Sequence, residues 1–73
     1  MEDYIVDTVI GRIYERMLQF RGQPIDDFLM SEVRMIIEDE ISKIPRFVPF
    51  PYVIYASCDP ENNKIDISFE KTV

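Results

Sequence analysis

The sequence predicts an α+β domain in which an N-terminal antiparallel helical hairpin packs on a C-terminal two-stranded antiparallel β-hairpin, in the order ααββ. Apolar residues recur at three- and four-residue spacing through the first 44 positions. From residue 52 onward, β-branched and aromatic residues predominate, and three prolines separate the two regions. A chain of 73 residues is long enough for one domain, so residues 1–73 form a single unit.

The first helix is predicted over residues 3–20. Gly22 follows it at a position that suits a left-handed residue, and Pro24 comes soon after. The apolar stripe of this helix consists of Val6, Val9, Ile10, Ile13, Met17 and Phe20.

The second helix is predicted over residues 26–44, with Asp26 or Asp27 as its N-cap and Pro45 as its stop. The link between the helices is short, which favours an antiparallel pair. The second apolar stripe consists of Leu29, Val33, Ile36, Ile37, Ile41 and Ile44.

Residues 45–51 carry three prolines, which predicts an extended, polyproline-like path. Strands are predicted over residues 52–58 and 64–70, joined by a four-residue loop over 60–63. Asp59 and Pro60 suit the first two positions of a type I turn, and the asparagines that follow tolerate left-handed geometry.

The predicted register sets Ala56 opposite Ile67 and Ile54 opposite Phe69, so that both strands bury the same face. A slip by one residue buries Val53 and Tyr55 instead. We favour the first register, because it also pairs the opposite charges of Asp59 and Lys64 at the turn.

Composition excludes several kinds of chemistry. Fourteen acidic and eight basic side chains leave a net charge of −6, which predicts neither nucleic-acid nor membrane binding. Without histidine, and with Cys58 as the single cysteine, the chain offers no catalytic triad and no zinc site. Two glycines cannot build a phosphate-binding loop. We therefore predict no enzymatic activity, no metal and no cofactor.

Location follows from the same features. Glu2 and Asp3 make the N-terminus acidic, unlike a signal peptide, and the longest apolar stretch, residues 47–56, is too short to span a bilayer. A lone cysteine fits a small buried side chain in a reducing compartment. We predict a soluble cytoplasmic protein.

Glu40 is the most unusual polar position, because it falls within the apolar stripe of the second helix. A carboxylate there needs a partner or a proton. It is either a buried polar contact to another protein or the acceptor of an internal bond from a tyrosine hydroxyl, Arg12 or Arg16. A third reading is that the side chain reaches the helix end and stays hydrated.

Several apolar residues lie off the two main stripes and are candidates for a partner or dimer interface. Gly11 has no side chain, so another backbone can approach the first helix closely at this position. The alternative is that these residues touch the hairpin or cover an open end of the core. The candidates are Gly11, Tyr14, Leu18, Phe28, Met35, Phe47 and Phe50.

The sequence thus predicts a non-enzymatic, small acidic protein-interaction module, acting as an adaptor, regulator or assembly subunit. We expect it to form a homodimer, because a two-stranded sheet leaves open edges and residues 69–73 could pair with their twin. One alternative is an acidic nucleic-acid mimic that inhibits a DNA- or RNA-binding protein. Another is a small virus-encoded accessory protein or virion assembly component.

Overall fold

A computed structural model describes residues 2–72, with side chains from Tyr4 onward; Met1, Val73 and the side chains of Glu2 and Asp3 lie outside this description. The chain forms two helices followed by a two-stranded antiparallel sheet, which confirms the ααββ prediction. Its elements are α1 (Glu2–Met17), a 3-10 turn (Leu18–Phe20), α2 (Asp27–Ser42), β1 (Tyr52–Asp59) and β2 (Lys64–Lys71).

The link between the helices, from the end of α1 to the start of α2, is shaped by local interactions. Gly22 adopts a φ of 85°, the left-handed conformation that glycine enters without a steric penalty. Asp26 is the N-cap of α2: its extended backbone precedes the first turn, and its Oδ1 accepts a hydrogen bond from the Leu29 N–H at 2.8 Å. Asp27, the other candidate, is the first residue of α2.

The strand register is the predicted one. Ala56 lies opposite Ile67, Ile54 opposite Phe69, and Asp59 opposite Lys64. Asn63 ends the loop with a φ of 51°. The predicted four-residue loop over 60–63 is confirmed, and within it the Asn63 N–H donates to the Pro60 carbonyl at 3.3 Å.

The proline-rich segment is less extended than predicted. The Val48 N–H donates to the Pro45 carbonyl at 2.9 Å, so a turn occupies the first half of the segment. A proline restrains itself and the residue before it, which leaves Arg46 and Phe47 free to adopt turn geometry.

Both helices pack on one face of the hairpin, with α1 mainly against β2 and α2 mainly against β1. Val53 and Tyr55 are exposed on the opposite face, as the favoured register requires. The apolar core lies between the two layers and consists of Val6, Val9, Ile13, Leu29, Val33, Ile36, Ile37, Tyr52, Ile54 and Ile67.

Burial decreases along β1 towards the turn. Tyr52 and Ile54 are buried, Ala56 is half-buried and Cys58 is exposed. The expectation of a buried cysteine is therefore wrong, because the turn end of the hairpin extends past the core. Among the described residues, no helix has the length and apolarity that crossing a bilayer requires.

The two glycines offer a matched test of this backbone. A methyl group at Gly11 meets no non-neighbouring atom of the described residues within 4 Å. We expect Gly11→Ala to raise the free energy of unfolding by about 0.5–1 kcal/mol, because alanine favours the helix. Gly22→Ala should lower it by about 1–2 kcal/mol, because its left-handed φ strains any Cβ. Urea denaturation measures both, and equal effects would contradict the assigned backbone.

Candidate functional site

Glu40 lies in a cluster of charges between α1 and α2. Its side chain is 3% exposed, and its Oε2 accepts hydrogen bonds from Arg16 at 2.8 Å and from Lys43 at 3.1 Å. Arg16 also donates to Asp39 at 2.7 Å. The internal partner is therefore Arg16, one of the candidates from the sequence, together with Lys43. The i,i+3 spacing of Lys43 from Glu40 is the sequence signal that could have identified this second partner.

These contacts decide the protonation of the two carboxyl groups. Burial by itself raises the pKa of Glu40, but the hydrogen bonds from Lys43 and Arg16 outweigh it and leave the pKa below its ordinary value. The hydrogen bond from Arg16 likewise lowers the pKa of Asp39. Glu40 is accordingly a carboxylate at neutral pH, held as a structural ion pair between the helices.

Four of the predicted interface residues carry large apolar side chains that are mostly exposed. Leu18 is 61% exposed, Phe28 69%, Met35 63% and Phe47 87%. They do not form one patch. Leu18 lines a depression at the link between the helices, whereas Met35 lines a groove between α1 and α2 on the side of Arg16 and Asp39.

The other three candidates have different surroundings. The Tyr14 hydroxyl accepts a hydrogen bond from the Ile67 N–H at 2.9 Å, so this side chain joins α1 to β2. Phe50 is half-buried and packs edge-on against Tyr52, with ring centroids 5.3 Å apart. Gly11 is exposed, and no other backbone of the described chain approaches it.

The described residues contain no group of three or more histidine, cysteine, aspartate or glutamate side chains arranged to hold a metal ion. The depressions are open grooves; the one beside Glu40, between the start of α1 and the end of α2, has a volume of 270 Å³ and a largely apolar lining. Comparison with protein-family models, with curated proteins and with solved structures found no match.

The Glu40 ion pair predicts a specific loss of stability in acid. Because the pKa of Glu40 in the folded state is below its ordinary value of 4.5, its stabilising contribution is complete above about pH 4.5 and is lost as the pH falls through the folded pKa. Urea denaturation at several pH values should show a shallower acid dependence for Glu40→Gln than for the unmodified chain. Glu38→Gln, an exposed control on the same helix, should keep the steeper dependence. Parallel curves for the unmodified chain and Glu40→Gln would contradict the assignment.

The Tyr14 contact has its own test. Tyr14→Phe keeps the ring and removes the acceptor for the Ile67 N–H. We expect faster amide exchange at Ile67 and a loss of about 1 kcal/mol in the free energy of unfolding. Tyr4→Phe, at an exposed position of the same helix, is the control and should change neither quantity. Unchanged exchange at Ile67 in Tyr14→Phe would show that the hydroxyl does not hold this amide.

Proposed function

We propose that this chain is a non-enzymatic protein-interaction module that associates first with a second copy of itself. The observation that supports the proposal is the exposure of Leu18, Phe28, Met35 and Phe47, which ranges from 61% to 87%. Aromatic residues and methionine are enriched in protein interfaces, and a few buried side chains there carry most of the binding energy.

The total surface of the chain supports the same proposal. Its accessible area is 5491 Å², whereas a typical folded monomer of 8.7 kDa exposes about 4700 Å². The excess, roughly 750 Å², is similar to the area that each partner buries in an interface of standard size, about 800 Å². Domains this small also depend on added stabilisation, which association supplies.

The charged cluster supports the non-enzymatic part of the proposal. A general acid at neutral pH needs a raised pKa, and the pKa of Glu40 is lowered by Lys43 and Arg16 against the effect of burial. A cytoplasmic location also belongs to the proposal, because a reducing compartment keeps the exposed Cys58 thiol from forming intermolecular disulfides.

The nucleic-acid mimic is the weaker alternative. A mimic needs a continuous acidic stripe, and Arg16 and Lys43 neutralise Asp39 and Glu40 in the last turn of α2. A virus-encoded accessory or virion assembly role is one setting for the same kind of module, and no contact among the described residues favours it specifically.

Sedimentation equilibrium at micromolar protein concentration tests self-association. We expect a dimer whose dissociation constant changes less than about threefold between about 0.1 M and about 1 M salt, because apolar contacts are not screened when the Debye length falls from about 10 to about 3 Å. A monomer at every concentration would refute self-association, and a dimer that dissociates in high salt would refute the apolar interface.

Two single substitutions locate the interface. Leu18 and Met35 line different grooves, so Leu18→Lys and Met35→Lys should differ in effect, with one of them weakening the dimer at least about tenfold. Glu61→Gln makes the same change of one charge unit at the exposed hairpin turn and should leave the dimer intact. If neither lysine substitution weakens the dimer, these side chains are not its interface.

A further inference from the structure

The two outer edges of the hairpin differ. The Ile67 N–H donates to Tyr14 and therefore points away from β1. Tyr14 thus occupies the centre of the outer edge of β2, where an additional strand would have to form its hydrogen bonds. The predicted pairing of residues 69–73 with their twin remains untested; it begins two residues beyond this contact.

The same hydrogen bond identifies the outward-facing groups of β1. Residues directly opposite each other in an antiparallel pair direct their N–H and C=O groups either towards each other or both outward. Ala56 is opposite Ile67, so the main-chain groups of Ala56 point outward, as do those of Ile54 and Cys58 two residues away on either side. No side chain among the described residues accepts a hydrogen bond from these three N–H groups.

The helical layer provides room beside this edge. Two helices side by side span about 20 Å, whereas two strands at about 4.8 Å spacing cover about half that width. On the side of β1, the part of the helical layer that the sheet does not cover forms an open groove of 310 Å³. It is lined by Arg34, Ile37, Glu38, Ile54, Tyr55 and Ala56.

The groove also has a charge pattern. Arg34 and Glu38 are exposed on its helical wall, one turn apart, and neither forms an ion pair with any residue that the structure describes. Side chains with this spacing are about 5–6 Å apart on a helix. Alternate side chains of a strand, which share one face, are about 6.6 Å apart.

We propose that β1 and α2 form a docking groove for one extended peptide strand of another protein, carrying an acidic and a basic side chain two residues apart on its helix-facing side. The main-chain groups of Ile54, Ala56 and Cys58 extend the sheet with the peptide by β-augmentation. Arg34 pairs with the acid and Glu38 with the base. These exposed ion pairs determine which peptide sequence binds, and the main-chain hydrogen bonds to β1 supply the affinity.

A second copy of the chain fits this edge poorly. If two β1 strands paired antiparallel about a twofold axis, both α2 helices would lie beneath the same pair of strands. Two strands are wide enough to cover only one helix. A single peptide strand, in contrast, widens the sheet to about 14 Å over the 20 Å helical layer. The groove does not use the apolar side chains on which the proposed function depends, so the two proposals fail separately.

The test begins with selection of heptapeptides from a random phage-displayed library against the intact chain. We expect enriched peptides to carry an acid and a base two residues apart. The bound peptide should slow amide exchange at Ile54, Ala56 and Cys58 at least about tenfold, with no change at Ile67. The Leu18→Lys and Met35→Lys variants should bind the same peptides unchanged.

Two matched changes test the recognition. A second selection against the double variant Arg34→Glu/Glu38→Arg, which keeps the net charge, should enrich peptides with the reverse charge order. A synthetic chain with an N-methyl group on the outward-facing nitrogen of Ala56 should bind the selected peptide at least about tenfold more weakly. The same N-methyl group at Ile65, which also faces outward but on the edge of β2, is the control and should leave binding unchanged.

Several outcomes would overturn the proposal. The first selection would do so if it enriched no peptide over the starting library, and amide exchange would do so if the peptide protected amides outside β1. The second selection would do so if the double variant enriched peptides with an unchanged charge order. Equal binding of the peptide to the two N-methylated chains would also overturn it. Protection of the β1 amides that rises with protein concentration in the absence of peptide would assign the edge to a second copy instead.

Discussion

Two helices lying side by side are about twice as wide as the two-stranded sheet that covers them, and the rest of the structure depends on this mismatch. The core is confined to the narrow zone where both layers overlap, and among the described residues the largest fully buried side chains are those of Val6, Ile13 and Val33. The outer flanks of both helices remain uncovered. Apolar residues on these flanks are therefore exposed, although they belong to the same amphipathic helices that form the core.

The two flanks are completed differently. Beside β2, Tyr14 extends from α1 to the Ile67 N–H and closes the gap with a side chain. Beside β1, the corresponding space is an open groove with exposed charges on its helical wall. Between the helices, Arg16 and Lys43 hold the buried Glu40 carboxylate, which would otherwise be costly to bury. Through Arg16 this ion pair joins α1 to α2.

Much of the architecture could be predicted because its causes are local. Asp26 caps α2 as predicted, α1 and α2 end before Gly22 and Pro45, and the observed register is the favoured one of the two that the alternation allowed. The position of Glu40 within the stripe of α2 also predicted a buried carboxylate, and Arg16 was among its expected partners. The sequence predicted which residues were candidates for an interface but not whether they share one surface. Helical periodicity does not say which flank of a helix a neighbouring element covers.

The sequence by itself determined the order of the elements and their approximate bounds, and it favoured the observed register, because periodicity, caps and turns act between residues close in the chain. Only the tertiary structure decided that Tyr14 caps Ile67, that Leu18 and Met35 line separate grooves, and that the edge of β1 is the open one. It also showed that Cys58 is exposed and that Pro45 begins a turn. Apart from the turn at Pro45, which is local, each of these features depends on how far one layer extends past the other, and that distance is set by the relative widths and lengths of packed elements.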